Sequence, residues 1–168
     1  MMLNKIFKLI YTKANIIRGA LIYSSGDLIA ALLLGEFSVT RLIGMVVIGA
    51  TFYAFEIPNY FAWIESRTKN LVSFKRTLTK TVLAILYFNP LWIARHLILI
   101  KLFSGEINQV SWDILKIALL SFLVNIPISI IANYLIQNKV NLNWRFLASA
   151  IFSALMAIYY ALSEVIFN

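Results

Sequence analysis

Asp27, Glu56 and Arg95 are the side chains whose type and setting could do chemistry, because each falls near the middle of an otherwise apolar stretch. An ionised group surrounded by hydrocarbon costs roughly 3 kcal/mol or more unless it is paired or hydrated, so such residues face the inside of a helix bundle. Two roles fit. One is a polar pathway across the bundle, with Arg95 held by Asp27 or Glu56; the other is a structural ion pair that fixes helix packing. Two acids against one guanidinium leave one negative charge unmatched, or one acid protonated. His96, the single histidine of the chain, adjoins Arg95. It would suit proton transfer or pH gating or, more simply, a hydrogen-bonded place in the packing.

Pro58, Pro90 and Pro127 stand inside apolar stretches, where proline removes a helix hydrogen bond and tends to kink the helix. Asn89, Asn125 and Asn133 can bond the freed backbone groups or neighbouring helices. Ser149, Ser153, Ala157 and Ala161 recur every four residues, so one helical face is small and permits close backbone approach. This strip is expected to pack within the chain, with a homo-oligomer contact as the alternative. A lone histidine without cysteine or clustered carboxylates makes no metal site, and neither a Gly-rich phosphate loop nor a nucleophile elbow is present. No cofactor is expected, and an enzyme is the minority reading.

The elements that must position these groups follow from composition. Of 168 residues, 61% are hydrophobic and 13% charged, where soluble domains carry nearer half and a quarter. A single small water-facing domain has too little polar surface to cover such an excess, whereas a bilayer solvates it. Five apolar stretches have spanning length: Ile16–Leu34, Leu42–Ile64, Thr81–Phe103, Ile114–Ile136 and Phe146–Phe167. Helices satisfy every backbone group internally where water is absent. The fold class expected is therefore all-α, one polytopic transmembrane helical bundle over residues 1–168, with four to five spans. The first stretch is the most polar, through Ser24, Ser25, Gly26 and Asp27. There is no cysteine, which excludes disulfides and thiolate metal sites.

The net charge is +8, which in a soluble protein would suggest nucleic acid; here its distribution reads as orientation. Lys5, Lys8, Lys13 and Arg18 mark the N-terminal segment without an acid, and Glu36 balances Arg41 in the next link. Arg67, Lys69, Lys75, Arg76 and Lys80 outweigh Glu65 in the second link. Lys101 and Lys116 balance Glu106 and Asp113, Lys139 and Arg145 stand alone in the fourth, and Glu164 ends the chain. Basic and neutral links alternate, as five spans with the N-terminus inside would produce. The segment from Met1 to Arg18 could lie on an anionic surface, and the Arg67–Lys80 link could bind acidic headgroups. Trp63, Trp144, Tyr11 and Tyr134 read as interfacial anchors. Partners expected are membrane lipids and small solutes, not nucleic acid.

Several of these residues fall in an order that resembles the Mpv-seventeen family, which includes the 22-kDa peroxisomal membrane protein. Gly26-Asp27, Arg41, Pro58 with Trp63, and Lys80 with Pro90 keep that family's spacing through the first three helices. Pro127, Asn133-Tyr134, the segment Val140 to Arg145, and Tyr160 to Ser163 look like its C-terminal motifs. Ala84 and Ile85 stand where the family has an Asp-Gln pair, and Ile126, Ile130 and Asn141 also depart from its pattern. The resemblance implies a small helical protein, usually described with four spans, of mitochondrial inner or peroxisomal membranes, with a bacterial inner membrane as the other location. It also implies a channel for small solutes; the alternative is a structural membrane protein without transport.

Overall fold

In the computed structural model, which describes residues 9–167 and the side-chain surroundings of 9–156, Ile158 and Tyr159, the chain forms five long helices. Helix α1 is Lys13–Leu34, α2 is Val39–Thr68, α3 is Ser73–Ser104 and α4 is Asp113–Lys139. Helix α5 is Leu142–Phe167. Each outruns its apolar stretch at its polar N-terminal end, and in α1 and α2 a side-chain cap continues the helix there. The Thr12 hydroxyl accepts from Asn15 N (3.2 Å) at the start of α1, and that of Ser38 accepts from Arg41 N (3.4 Å) at the start of α2. Gly35 (φ 71°) and Gly105 (φ 79°) end α1 and α3 in the left-handed conformation that only glycine adopts freely. Lys5 and Lys8, Ala157 and Ala161, and Tyr160 to Ser163 lie outside the described side chains.

The prolines act differently from one another. Pro58 lies inside α2, shortly after a π-helical turn over Gly49–Tyr53, and Pro127 lies inside α4. Pro90 is not interior. The helix α3 is interrupted at Phe88 and Asn89, and Pro90 opens its second half at the first-turn position where its missing N–H costs nothing. Asn89 caps that restart, its Oδ1 accepting from Trp92 N (3.1 Å) while its Nδ2 donates to the Leu86 carbonyl (3.0 Å).

Each helix runs antiparallel to its predecessor, and α5 closes the set by lying parallel along α1. Arg18 of α1 covers the Trp144 ring of α5, and a turn or two further on Gly26 meets Ala154. A Cβ on Gly26 would come within 2.7 Å of Ala154 Cα. Gly19 and Gly49 likewise bring the backbones of α1 and α2 into contact, and a Cβ on either would overlap the other's carbonyl oxygen.

Burial in α4 is inverted relative to a water-soluble helix. Leu119, Leu123, Val124, Ile128, Ile131 and Leu135 are exposed, whereas Ser121, Asn125, Asn133 and Gln137 are buried. Among the described residues, α1 to α4 are long and apolar enough to cross a membrane. These properties place the chain among helical integral membrane proteins.

Candidate functional site

Three ion-pair clusters hold the bundle at three levels. At one end, Arg41 in the first turn of α2 takes the carboxylate of Asp27 on α1 by two hydrogen bonds, Nε to Oδ2 at 2.9 Å and Nη2 to Oδ1 at 2.8 Å. The side chains are only 4% and 2% exposed. Glu36 lies 3.4 Å from the same guanidinium. The cluster forms because Ser38 starts α2 one short link after Gly35 ends α1, which brings position 41 back over position 27.

In the middle, Arg95 of α3 grips Glu56 of α2 through both carboxylate oxygens (3.0 and 2.8 Å), and the Tyr87 hydroxyl donates to Glu56 Oε2 (3.0 Å). This pair is 38% and 30% exposed. At the basic end, Glu65 of α2 receives Lys80 of α3 (2.6 Å), Arg145 of α5 (2.7 Å) and Arg76 of α3. One carboxylate thus gathers three cations from two other helices.

This geometry corrects the expectation for Asp27, Glu56 and Arg95. They do not line one path: Arg95 belongs to Glu56, and Asp27 belongs to Arg41, a link charge and resemblance residue not expected to pair with it. No acid among the three is left unmatched. His96 is buried, with Nδ1 2.8 Å from the Tyr53 hydroxyl and its ring stacked on Trp92 at 5.7 Å.

A second polar system, on α4, carries fewer internal bonds. Ser121, Asn125, Ser129, Asn133 and Gln137 recur every four residues, a slanting row about 24 Å long at 1.5 Å per residue. Asn125 Nδ2 donates to the Ser129 hydroxyl (2.9 Å) and Asn133 Nδ2 to the Ser129 carbonyl (2.9 Å). Gln137 is completely buried, and neither atom of its amide has a partner among the described residues. The same holds for the buried indole N–H of Trp92. Trp92, Ser129, Asn133 and Ser153 of α5 line an internal cavity beside the break in α3. Its space for a water centre is about 20 Å³, room for about one molecule.

The sequence offered Asn125 and Asn133 as partners of freed backbone groups or neighbouring helices, and Asn133 as a pore or buried polar residue, but Ser121, Ser129, Gln137 and Trp92 were missed. The four-residue period would have revealed the three on α4, as it did the Ser149–Ser153 strip, of which Ser149 is buried and Ser153 faces the cavity. Glu65 was also missed as an organising group. The remaining resemblance residues are structural in their surroundings: Trp63 lies 5.4 Å from Tyr60 and beneath Arg67, and Tyr134 is partly exposed. Comparison with protein-family models, with curated proteins and with solved structures finds no match.

Proposed function

We propose that this membrane protein passes small polar solutes through the interface of α3, α4 and α5, and that the described conformation is its closed state. The observation that carries this reading is the α4 row. Five polar residues line the inward side of an otherwise apolar helix, and the row ends at Gln137 with a buried amide that no described residue satisfies. An unpaired buried polar group costs about 1–3 kcal/mol, which packing alone gives no reason to retain. Water or a passing solute would supply the missing partners. The cavity at Trp92 and Asn133 is a constriction in that path. The break of α3 at Asn89 and the proline in α4 flank it, and these are the places where the two helices can bend.

The reading also takes the chain as a diverged member of the Mpv-seventeen group and as a non-enzymatic protein. Support comes from the resemblance residues acting together: Asp27 pairs with Arg41, Lys80 and Arg145 share Glu65, and Gly26 provides the closest approach of α1 and α5.

Reconstitution into liposomes tests it. Wild-type protein is expected to admit small uncharged polyols, measured by osmotic swelling, and Asn133→Leu to reduce that flux strongly while the protein remains folded. Wild-type vesicles no more permeable than empty ones would end the proposal and favour a structural role.

A further inference from the structure

The basic end of the bundle carries a groove that the ion-pair clusters do not use. It lies where the first turns of α1 and α5 meet α2, has a volume of about 240 Å³, and is lined by Asn15, Arg18, Phe61, Asn143 and Phe146 among others. The first turns of both helices contain no acid, so the positive ends of two helix dipoles open there without compensation. The Arg18 Cζ lies over the Trp144 ring, 4.7 Å from its centroid, and no carboxylate among the described residues pairs with it. Asn15 is only 8% exposed, yet its side-chain amide has no hydrogen-bond partner among the described residues. A buried amide and an unpaired, pre-positioned guanidinium on one concave surface call for an anion.

We infer that this groove binds the phosphate of an anionic membrane lipid, with the headgroup between Asn15 and Arg18 and the acyl chains leaving along Phe61 and Phe146. Residues 1–8 offer it no side-chain anion, since they contain two lysines and no Asp or Glu. In the Arg67–Lys80 link, by contrast, Arg76 and Lys80 are bound to Glu65. The apolar floor distinguishes a lipid from free phosphate, which has no use for it. The inference is independent of solute passage and stands or falls separately from it.

Native mass spectrometry of the full chain released from detergent, with phosphatidylglycerol or phosphatidylcholine added, provides the test. Wild-type protein is expected to retain one phosphatidylglycerol in preference to phosphatidylcholine. Arg18→Gln should weaken that retention about fivefold, the loss of one cation's attraction. Asn143→Asp separates binding from folding: an acid in the first turn of α5 favours the helix but repels phosphate at the groove mouth, so lipid retention should fall while thermal stability does not. Arg67→Gln, a cation outside the groove, should leave retention unchanged. The inference is overturned if Asn143→Asp retains the lipid as wild type does, if Arg67→Gln lowers retention as much as Arg18→Gln, or if glycerol phosphate without acyl chains displaces the lipid at equal concentration.

Discussion

Asp27 on α1 and Gln137 on α4 are equally hidden from the surroundings, yet their situations are opposite. Asp27 has both oxygens bonded to one guanidinium, and Arg41 has Glu36 nearby as well. Gln137 has an equally buried amide and, among the described residues, no partner for either atom. Burial of a polar group inside a membrane bundle therefore does not by itself point to function; its degree of saturation does. A saturated pair reports how two helices are locked. An unsaturated group reports something that has to come and go, or a water that stays. The Asp27–Arg41 pair between α1 and α2 is of the first kind and Gln137 on α4 of the second.

The largest effect that would break this contrast is at Asp27. Asp27→Ala leaves the Arg41 guanidinium buried with only Glu36 near it, and removing one partner of a buried pair costs roughly 3–5 kcal/mol. The expected result is a large fall in the unfolding midpoint in detergent, with most of the loss recovered when Arg41→Leu is added. A mild Asp27→Ala would show that the end of α1 is looser than its geometry says.

Next comes Gln137→Leu, which distinguishes the two sides most directly. Leucine nearly matches glutamine in volume and removes two unpaired polar atoms. The midpoint should hold or rise, by about 1–2 kcal/mol in stability, while polyol flux into vesicles falls. A loss of stability as large as that of Asp27→Ala would mean that Gln137 is a packing residue after all.

The all-α spanning character was legible in the sequence because it depends on additive quantities. Apolar length and the alternation of basic and neutral links survive any uncertainty about which side chain meets which. Pairing is not additive. Arg41 was read as a link charge and, by resemblance, as a motif residue, since nothing in its local sequence says that Ser38 caps the helix so as to turn position 41 inward over Asp27. Glu65 looked outnumbered by basic neighbours, and only the approach of α5, eighty positions later in the chain, shows that Arg145 shares it. Pro90 looked like an interior kink because the break before it is set by Asn89 as a cap, a decision between two local hydrogen-bond schemes. The α4 row was legible but hidden by attention to charge: three amides and two hydroxyls at four-residue spacing alter neither net charge nor overall apolarity.

The smallest effect concerns Arg95→Gln, which sharpens the contrast by testing its intermediate case. Glu56 and Arg95 form a two-point pair, but each is about one-third exposed, and Tyr87 continues to donate to Glu56 when the guanidinium is gone. Glutamine also retains an N–H that can reach the carboxylate. Polar contacts between membrane helices average well under 1 kcal/mol when measured by double-mutant cycles, and exposed ion pairs are of similar worth. The expected cost is therefore about 1 kcal/mol or less, with polyol flux unchanged because Arg95 does not line the cavity at Trp92 and Asn133. A double-mutant cycle of Glu56→Gln with Arg95→Gln measures the coupling directly. Flux that falls with Arg95→Gln while stability stays level would move the pathway from α4 to the α2–α3 interface, and the saturated pair would then have to open for a solute to pass.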